Sequence, residues 1–236
     1  MKIKIEQLHK NFGKVKVLQG LDLNVTEKGI FAILGPNGSG KTTLIKCILG
    51  MVIPQKGDIL LDNQSILGQW DYRSKVAYLP QIARFPQNLK VQELIKMIKE
   101  IRGESQREEE IINLFKIQPF LDKKLGTLSG GTKQKINILL TFMFDSDLII
   151  LDEPTTGLDP VALIYLKELI QEEKRKGKTI LVTTHIMKLV EEIADKIVFL
   201  LDGKIYFEGT VTQLQSQTGE KDLEHAIANI LKDTYA

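Results

Sequence analysis

Gly35-Pro36-Asn37-Gly38-Ser39-Gly40-Lys41-Thr42 fits the pattern G-x-x-x-x-G-K-[ST]. In that pattern glycines let backbone N–H groups close around phosphate oxygens, while the lysine and a hydroxyl reach the phosphates and a divalent cation. Two further segments follow in order, Leu128-Ser129-Gly130-Gly131-Thr132 and Leu148-Ile149-Ile150-Leu151-Asp152-Glu153-Pro154. Transfer of a γ-phosphoryl group passes through a loose transition state with charge spread over its equatorial oxygens, so it needs placed cations, N–H donors and an oriented water. The chain offers each of these. Lys41 is suited to bridge the β- and γ-phosphates, Thr42 to coordinate Mg²⁺, and Thr43 with the amides of Gly38 to Lys41 to hold the α- and β-phosphates. Asp152, at the end of an apolar run, can hold Mg²⁺ through a water, which leaves Glu153 to polarise the attacking water. The plainer reading of Asp152 and Glu153 is a strand end with two solvated acids; the glycine loop weighs against it.

The elements that must position these groups alternate between strand and helix. Ile3 to Ile5 and Val15 to Leu23 alternate with period two, and Ile30 to Leu34 is a continuous apolar run, the pattern of a strand buried on both faces. That run feeds the glycine loop. Lys41 to Leu49 reads as a helix whose N-terminus faces the loop, so that its unpaired N–H groups and macrodipole favour a phosphate there. Leu148 to Leu151, Thr179 to Thr183 and Ile197 to Leu201 read as further buried strands, separated by helices over Pro160 to Lys176 and Ile186 to Ile193, and this alternation predicts a largely parallel sheet. Between Val91 and Phe144 helices follow one another without strands. Val91 to Arg102 is one, and Ser105 with Glu108 predicts a capping box that opens a second, running through Phe115. Lys204 to Phe207 reads as a last strand. The tail from Glu220 puts Leu223, Ala226, Ile227, Ile230 and Leu231 on one helical face, a packing stripe.

Together the three motifs resemble the Walker A loop, the signature and the Walker B strand of the nucleotide-binding subunit of ABC transporters, and the resemblance covers nearly the whole chain. It implies an α/β fold: a P-loop NTPase (ABC ATPase) core with a mostly parallel sheet, an N-terminal antiparallel β subdomain and an inserted α-helical subdomain. Within a single ABC ATPase domain over 1–236, the expected divisions are 1–88 and 145–216 for the nucleotide-binding core, 89–144 for the helical subdomain and 217–236 for a C-terminal helix. The implied cofactors are ATP and Mg²⁺. The resemblance makes Glu153 the general base, His185 the switch histidine at the γ-phosphate, and Gln81 the Q-loop glutamine that senses Mg²⁺ and the attacking water. Lys41 completes the catalytic set, and Thr42, Gln81 and Asp152 are the implied metal ligands. Nucleotide contacts fall on Phe12, Gly35, Asn37, Gly38, Ser39, Gly40, Lys41, Thr42 and Thr43, with Ser129, Gly130 and Gly131 closing over the ATP of a second copy in a head-to-tail homodimer. Asp159-Pro160 serves two readings, a helix cap with a first-turn proline and the family's D-loop.

Two positions depart from the family's pattern. Phe12 stands where an adenine-stacking tyrosine is usual; it keeps the ring face, the alternative being a core phenylalanine. Thr132 replaces the signature's usual glutamine, as is common in exporter-type members. Pro80 to Leu89 resembles the corresponding loop in the ATPase subunit of the nitrous-oxide-reductase maturation transporter, an exporter-type system that supports copper-site assembly. In the family this loop lines the groove that receives a helix of the membrane subunit, which makes Arg84 and Phe85 candidate coupling residues.

Composition limits the alternatives. The chain has 236 residues, of which 43% are hydrophobic and 26% charged, and can bury one substantial core. The formal net charge of +2, with bases and acids interspersed, gives no ground for a nucleic-acid partner. Cys47 is the only cysteine, so no internal disulfide forms and a reducing compartment is expected. The longest apolar stretches fall short of the roughly 20 residues that cross a bilayer. The implied partner is therefore a separate transmembrane permease subunit, and the expected location is cytoplasmic, on the inner face of the cell membrane through that subunit. A soluble ABC ATPase acting on DNA or ribosomes would resemble two fused cassettes or a head on a coiled coil, and neither is present. A nucleotide-binding regulator without hydrolysis would not require Lys41, Asp152, Glu153 and His185 together.

Overall fold

In chain order the elements are β1 (Ile3–Phe12), β2 (Val15–Val25), β3 (Gly29–Leu34), α1 (Lys41–Ile48), β4 (Lys56–Leu61), β5 (Gln64–Ser65), β6 (Val76–Leu79), α2 (Val91–Arg102), α3 (Glu108–Leu114), α4 (Gly130–Phe142), β7 (Leu148–Asp152), α5 (Pro160–Arg175), β8 (Thr179–Thr183), α6 (Met187–Ile193), β9 (Lys196–Leu201), β10 (Lys204–Gly209), α7 (Val211–Thr218) and α8 (Leu223–Tyr235). This computed structural model describes residues 1–235, with side chains to Lys232; Ala236, the last residue of the expected C-terminal helix, lies outside the described residues. The chain divides into two units, Met1–Trp70 with Thr179–Ala236, and Asp71–Lys178.

The first unit holds an antiparallel sheet in the order β2-β1-β4-β5. β1 runs well past the three residues whose alternation marks it. A bulge follows Ile5, where Gln7 adopts a positive φ of 44° and the register with β2 and β4 shifts. The extra residue re-phases the strand so that Leu8 points inward with Ile3 and Ile5. Asp22 holds the bulge by accepting from the Gln7 backbone N–H at 2.7 Å and from its side-chain amide.

The same unit carries β3 between β8 and β9, both parallel to it, with β10 antiparallel on β9. All of β3 and β8 is buried, as the apolar runs Ile30 to Leu34 and Ile180 to Val182 require. The tail stripe behaves as packing. Leu223, Ala226 and Ile227 are buried in one cluster with Val190, Phe199 and Leu214, and Ile230 and Leu231 lie partly buried against it. Cys47 is buried in α1, and burial pushes its thiol up to about 11, so it stays an unreactive packing residue.

In the second unit β6 and β7 pair in parallel, Val76 opposite Leu148 through Leu79 opposite Leu151. The residues between them are helical. α2 matches its predicted span, but α3 does not begin on the capping box that Ser105 and Glu108 suggest. Its N-cap is Arg107, and the Ser105 hydroxyl donates instead to the Met143 carbonyl at 2.9 Å. The Arg107 guanidinium binds Glu110 and crosses to Glu172 and Glu173 on α5, at 2.6 to 2.7 Å. A tertiary ion cluster, absent from any local pattern, sets this helix start.

Candidate functional site

Both groups of site residues stand at the carboxyl ends of parallel strands, where ligands of such sheets bind. In the first unit β3 and β8 run in register from Gly29 opposite Thr179 to Ile33 opposite Thr183. The glycine loop after β3 and the Thr184-His185 turn after β8 therefore leave the sheet at one edge. Gly35 has φ 151°, and a Cβ there would stand 2.0 Å from the Leu200 carbonyl oxygen of β9, so only glycine lets the loop turn this tightly against the sheet. The Lys41 ammonium folds over the loop and donates to the Gly35 and Pro36 carbonyls at 2.7 and 3.1 Å. Ser39 is buried, and its hydroxyl has no hydrogen-bond partner among the described residues.

α1 then starts at Lys41 with a left-handed Gly40 at its N-cap, no capping side chain and no acid in its first turn. α4, α5 and α7 are capped by Ser129, Asp159 and Thr210, while the short helices α3 and α6, like α1, have no side-chain cap bond. An N-terminus left without a side-chain cap, with a buried hydroxyl and an ammonium beside it, has the donor set that a polyphosphate uses. Thr42 and His185 are exposed, while Thr43 is partly so. The His185 turn is shaped by the buried Thr184 hydroxyl, which accepts from the Ile186 N–H at 3.1 Å. Phe12 ends β1 at 50% exposure, with the Lys10 ammonium 5.1 Å from its ring centre, which excludes the core reading of this ring.

In the second unit the parallel pairing of β6 with β7 brings the Pro80-Gln81 and Asp152-Glu153 ends to one edge. Asp152 is buried, whereas Gln81 is exposed. Glu153 takes φ 49°, a left-handed conformation that costs a non-glycine residue roughly 1 to 3 kcal/mol and is kept only where surrounding contacts fix it. Two such contacts are on its own carbonyl, which accepts from the Thr156 N–H at 3.3 Å and the Thr156 hydroxyl at 3.1 Å. Burial, reinforced by the negative charge of Asp152, pushes the Tyr78 phenol up to about 12, so it remains a neutral hydroxyl.

The Ser129-Gly130-Gly131 turn belongs to this unit as well. Ser129 caps α4 by accepting from the Thr132 N–H at 3.2 Å, and its oxygen lies 2.9 Å from the Thr132 hydroxyl. The departure at position 132 thus puts a short hydroxyl onto the signature serine. A Cβ on Gly131 would stand 2.7 Å from the Gly157 carbonyl, so the turn packs backbone to backbone on the loop after β7. Asp159 caps α5 through the Ala162 N–H at 2.9 Å and pairs with Lys135 of α4 at 2.6 Å; the Lys135 hydrogen bond holds its carboxyl below the usual carboxylate range. Reading the sequence missed Gln134 and Asn137, buried amides on α4 that hold the carbonyls of Pro154 and Pro80 at 2.9 and 3.0 Å. Their signal is two amides three residues apart on the α4 face that they share with Ile138 and Thr141.

The model of a family described as ABC transporter matches residues 18–156, which include the glycine loop, the signature turn and Asp152-Glu153. The chain belongs to the ABC transporter ATP-binding family. The lantibiotic transport ATP-binding protein SrtF of Streptococcus pyogenes is 31% identical over 238 residues, covering 96% of each chain. The Nod factor export ATP-binding protein I of Burkholderia lata is 32% identical over 213 residues, covering 88% of this chain and 70% of its own. A solved ATP-binding subunit of an ABC transporter superposes with a TM-score of 0.90 at 29% identity, covering 98% of this chain and all of that one. This ABC cassette binds ATP and is an ATPase, built on the P-loop fold that its motifs imply. Among the described residues no helix is long and apolar enough to cross a membrane.

Proposed function

We propose that the chain hydrolyses Mg-ATP between two copies arranged head to tail and couples that hydrolysis to a separate transmembrane subunit that exports its cargo. The observation that carries the reading is the start of α1, without a side-chain cap, on a glycine loop that also supplies Lys41 and the buried Ser39 hydroxyl. Lys41 and the loop amides hold the phosphates, and Thr43 adds a hydroxyl. Thr42, Asp152 and Gln81 would hold the metal; these are hard oxygen donors, few in number, which suits an ion that retains waters and takes the rest of its shell from phosphate. Bound there, Mg²⁺ neutralises charge that develops on the phosphate oxygens. Glu153 accepts the proton of the attacking water, Gln81 orients that water, and His185 donates to the γ-phosphate. Phe12 offers its exposed ring face to adenine.

Ser129, Gly130 and Gly131 close over the ATP of the second copy. A two-fold arrangement makes both sites at once, because contact of one residue with another implies the reverse contact. Export is supported by the name of the Nod factor relative and by Thr132. The Pro80–Leu89 loop further points to an exporter that serves copper-site assembly, docked through Arg84 and Phe85 on the inner face of the cell membrane. Glu153→Gln tests the enzymatic part. Loss of a general base lowers turnover by about 10² to 10⁴, and the variant is expected to elute as a dimer in gel filtration when ATP is present. A fully active, monomeric Glu153→Gln chain rules the reading out.

A further inference from the structure

α4 carries two buried amides whose bonds leave the helix. Gln134 and Asn137 are each 4% exposed. Gln134 Nε2 donates to the Pro154 carbonyl at 2.9 Å, and Asn137 Nδ2 donates to the Pro80 carbonyl at 3.0 Å and reaches Gln134 Oε1 at 3.5 Å. One turn further, the Thr141 hydroxyl donates to the Asn137 carbonyl at 2.8 Å and lies 3.4 Å from that of Tyr78. Pro80 immediately precedes Gln81, and Pro154 immediately follows Glu153.

The pairing of β6 with β7 runs only as far as Leu79 opposite Leu151. Beyond it the chain places prolines, which have no N–H to continue a ladder. The amide pair supplies a tie where the backbone can no longer do so. A buried amide is costly unless its bonds are made, and an aliphatic residue would fill the same face as well. What Asn137 and Gln134 add is direction: each fixes one carbonyl of a loop that bears a reacting group, and they touch each other.

We propose that Asn137 is a positioning residue for ATP hydrolysis: with Gln134 it locks the Gln81 loop to the Glu153 loop, so that both move as one body with the signature helix. This rests on the roles assigned above to Gln81 and Glu153. Asn137 acts through the Pro80 carbonyl, one residue before Gln81.

The test uses the full chain with Asn137→Ala and Asn137→Leu, the second of which keeps much of the volume while removing the amide. In both, kcat is expected to fall about tenfold, the scale of a misplaced catalytic group, while KM for ATP stays within about twofold. In a Gln81→Ala background, Asn137→Ala is expected to cost less than about twofold more, since residues acting through one another do not add. Wild-type kcat in a folded Asn137 variant overturns the proposal, and so does a tenfold loss that repeats in full in the Gln81→Ala background. Full activity in Gln81→Ala alone removes the underlying assignment, a result obtained before Asn137 is altered.

Discussion

Gly35 and Gly38 look alike in the sequence and differ in what surrounds them. Both hold positive φ, but a Cβ on Gly35 would collide with the Leu200 carbonyl at 2.0 Å, whereas a Cβ on Gly38 meets nothing within 4 Å. Gly35→Ala must displace the β9 backbone and is expected to lower stability by more than about 3 kcal/mol, beyond the range set by φ strain alone. Gly38→Ala is expected to cost about 1 to 2 kcal/mol and to act chiefly on the affinity for ATP. Urea unfolding together with titration of a fluorescent ATP analogue separates the two, and equal loss of stability in both variants would contradict the geometry. The glycine loop was legible because its chemistry is local: eight residues, Gly35 to Thr42, suffice to state a phosphate cradle. Asn137 was not, because its partner lies 57 positions away, and the spacing of two amides on α4 does not say which carbonyls they reach.

Elements were legible where the hydrophobic period alone decides them. β3, β7 and β8 are built on apolar runs and proved fully buried, and the Leu223 face of α8 packs as its spacing suggests. The start of α3 was not, because Arg107 binds three carboxylates, two of them 65 and 66 residues away on α5. Arg107→Ala would leave the buried Glu173 carboxylate with Lys176 alone, and is expected to cost roughly 2 kcal/mol, the scale of a charged hydrogen bond lost in a partly buried site. The Arg107 hydrogen bond holds the Glu110 carboxyl below its usual 4.5. A carboxyl depressed in the folded state contributes stability that is complete above the unfolded value and lost as pH falls through the folded one. Wild-type melting temperature should therefore drop with acid below about pH 4.5, and more steeply than that of Arg107→Ala. Parallel acid slopes for the two proteins would show that the Arg107–Glu110 pair does not stabilise the fold.

For the whole molecule, the question is whether one chain or two complete the catalytic set. The signature turn has the form of a nucleotide contact, with α4 opening at Gly130 and Gly131 pressed onto the loop after β7. Within its own chain, however, Ser129 already serves as a helix cap. A head-to-tail pair predicts complementation. Lys41→Ala removes the phosphate ammonium and leaves a sound signature turn, whereas Ser129→Arg blocks the turn and leaves a sound glycine loop. Each variant alone should be nearly inactive, since every site in its dimer carries the defect. In an equimolar mixture half the dimers are mixed, and each mixed dimer holds one intact site and one doubly defective site. Phosphate release should thus recover to about a quarter of the wild-type rate, if the sites fire independently. Recovery is expected to rise with total concentration as dimers form, at fixed ATP. Ser129→Arg also replaces a helix cap, at a cost of about 1 kcal/mol, so its melting curve is recorded alongside. If the signature turn served the nucleotide of its own chain, each molecule would keep its own defect, and no mixing ratio would restore activity.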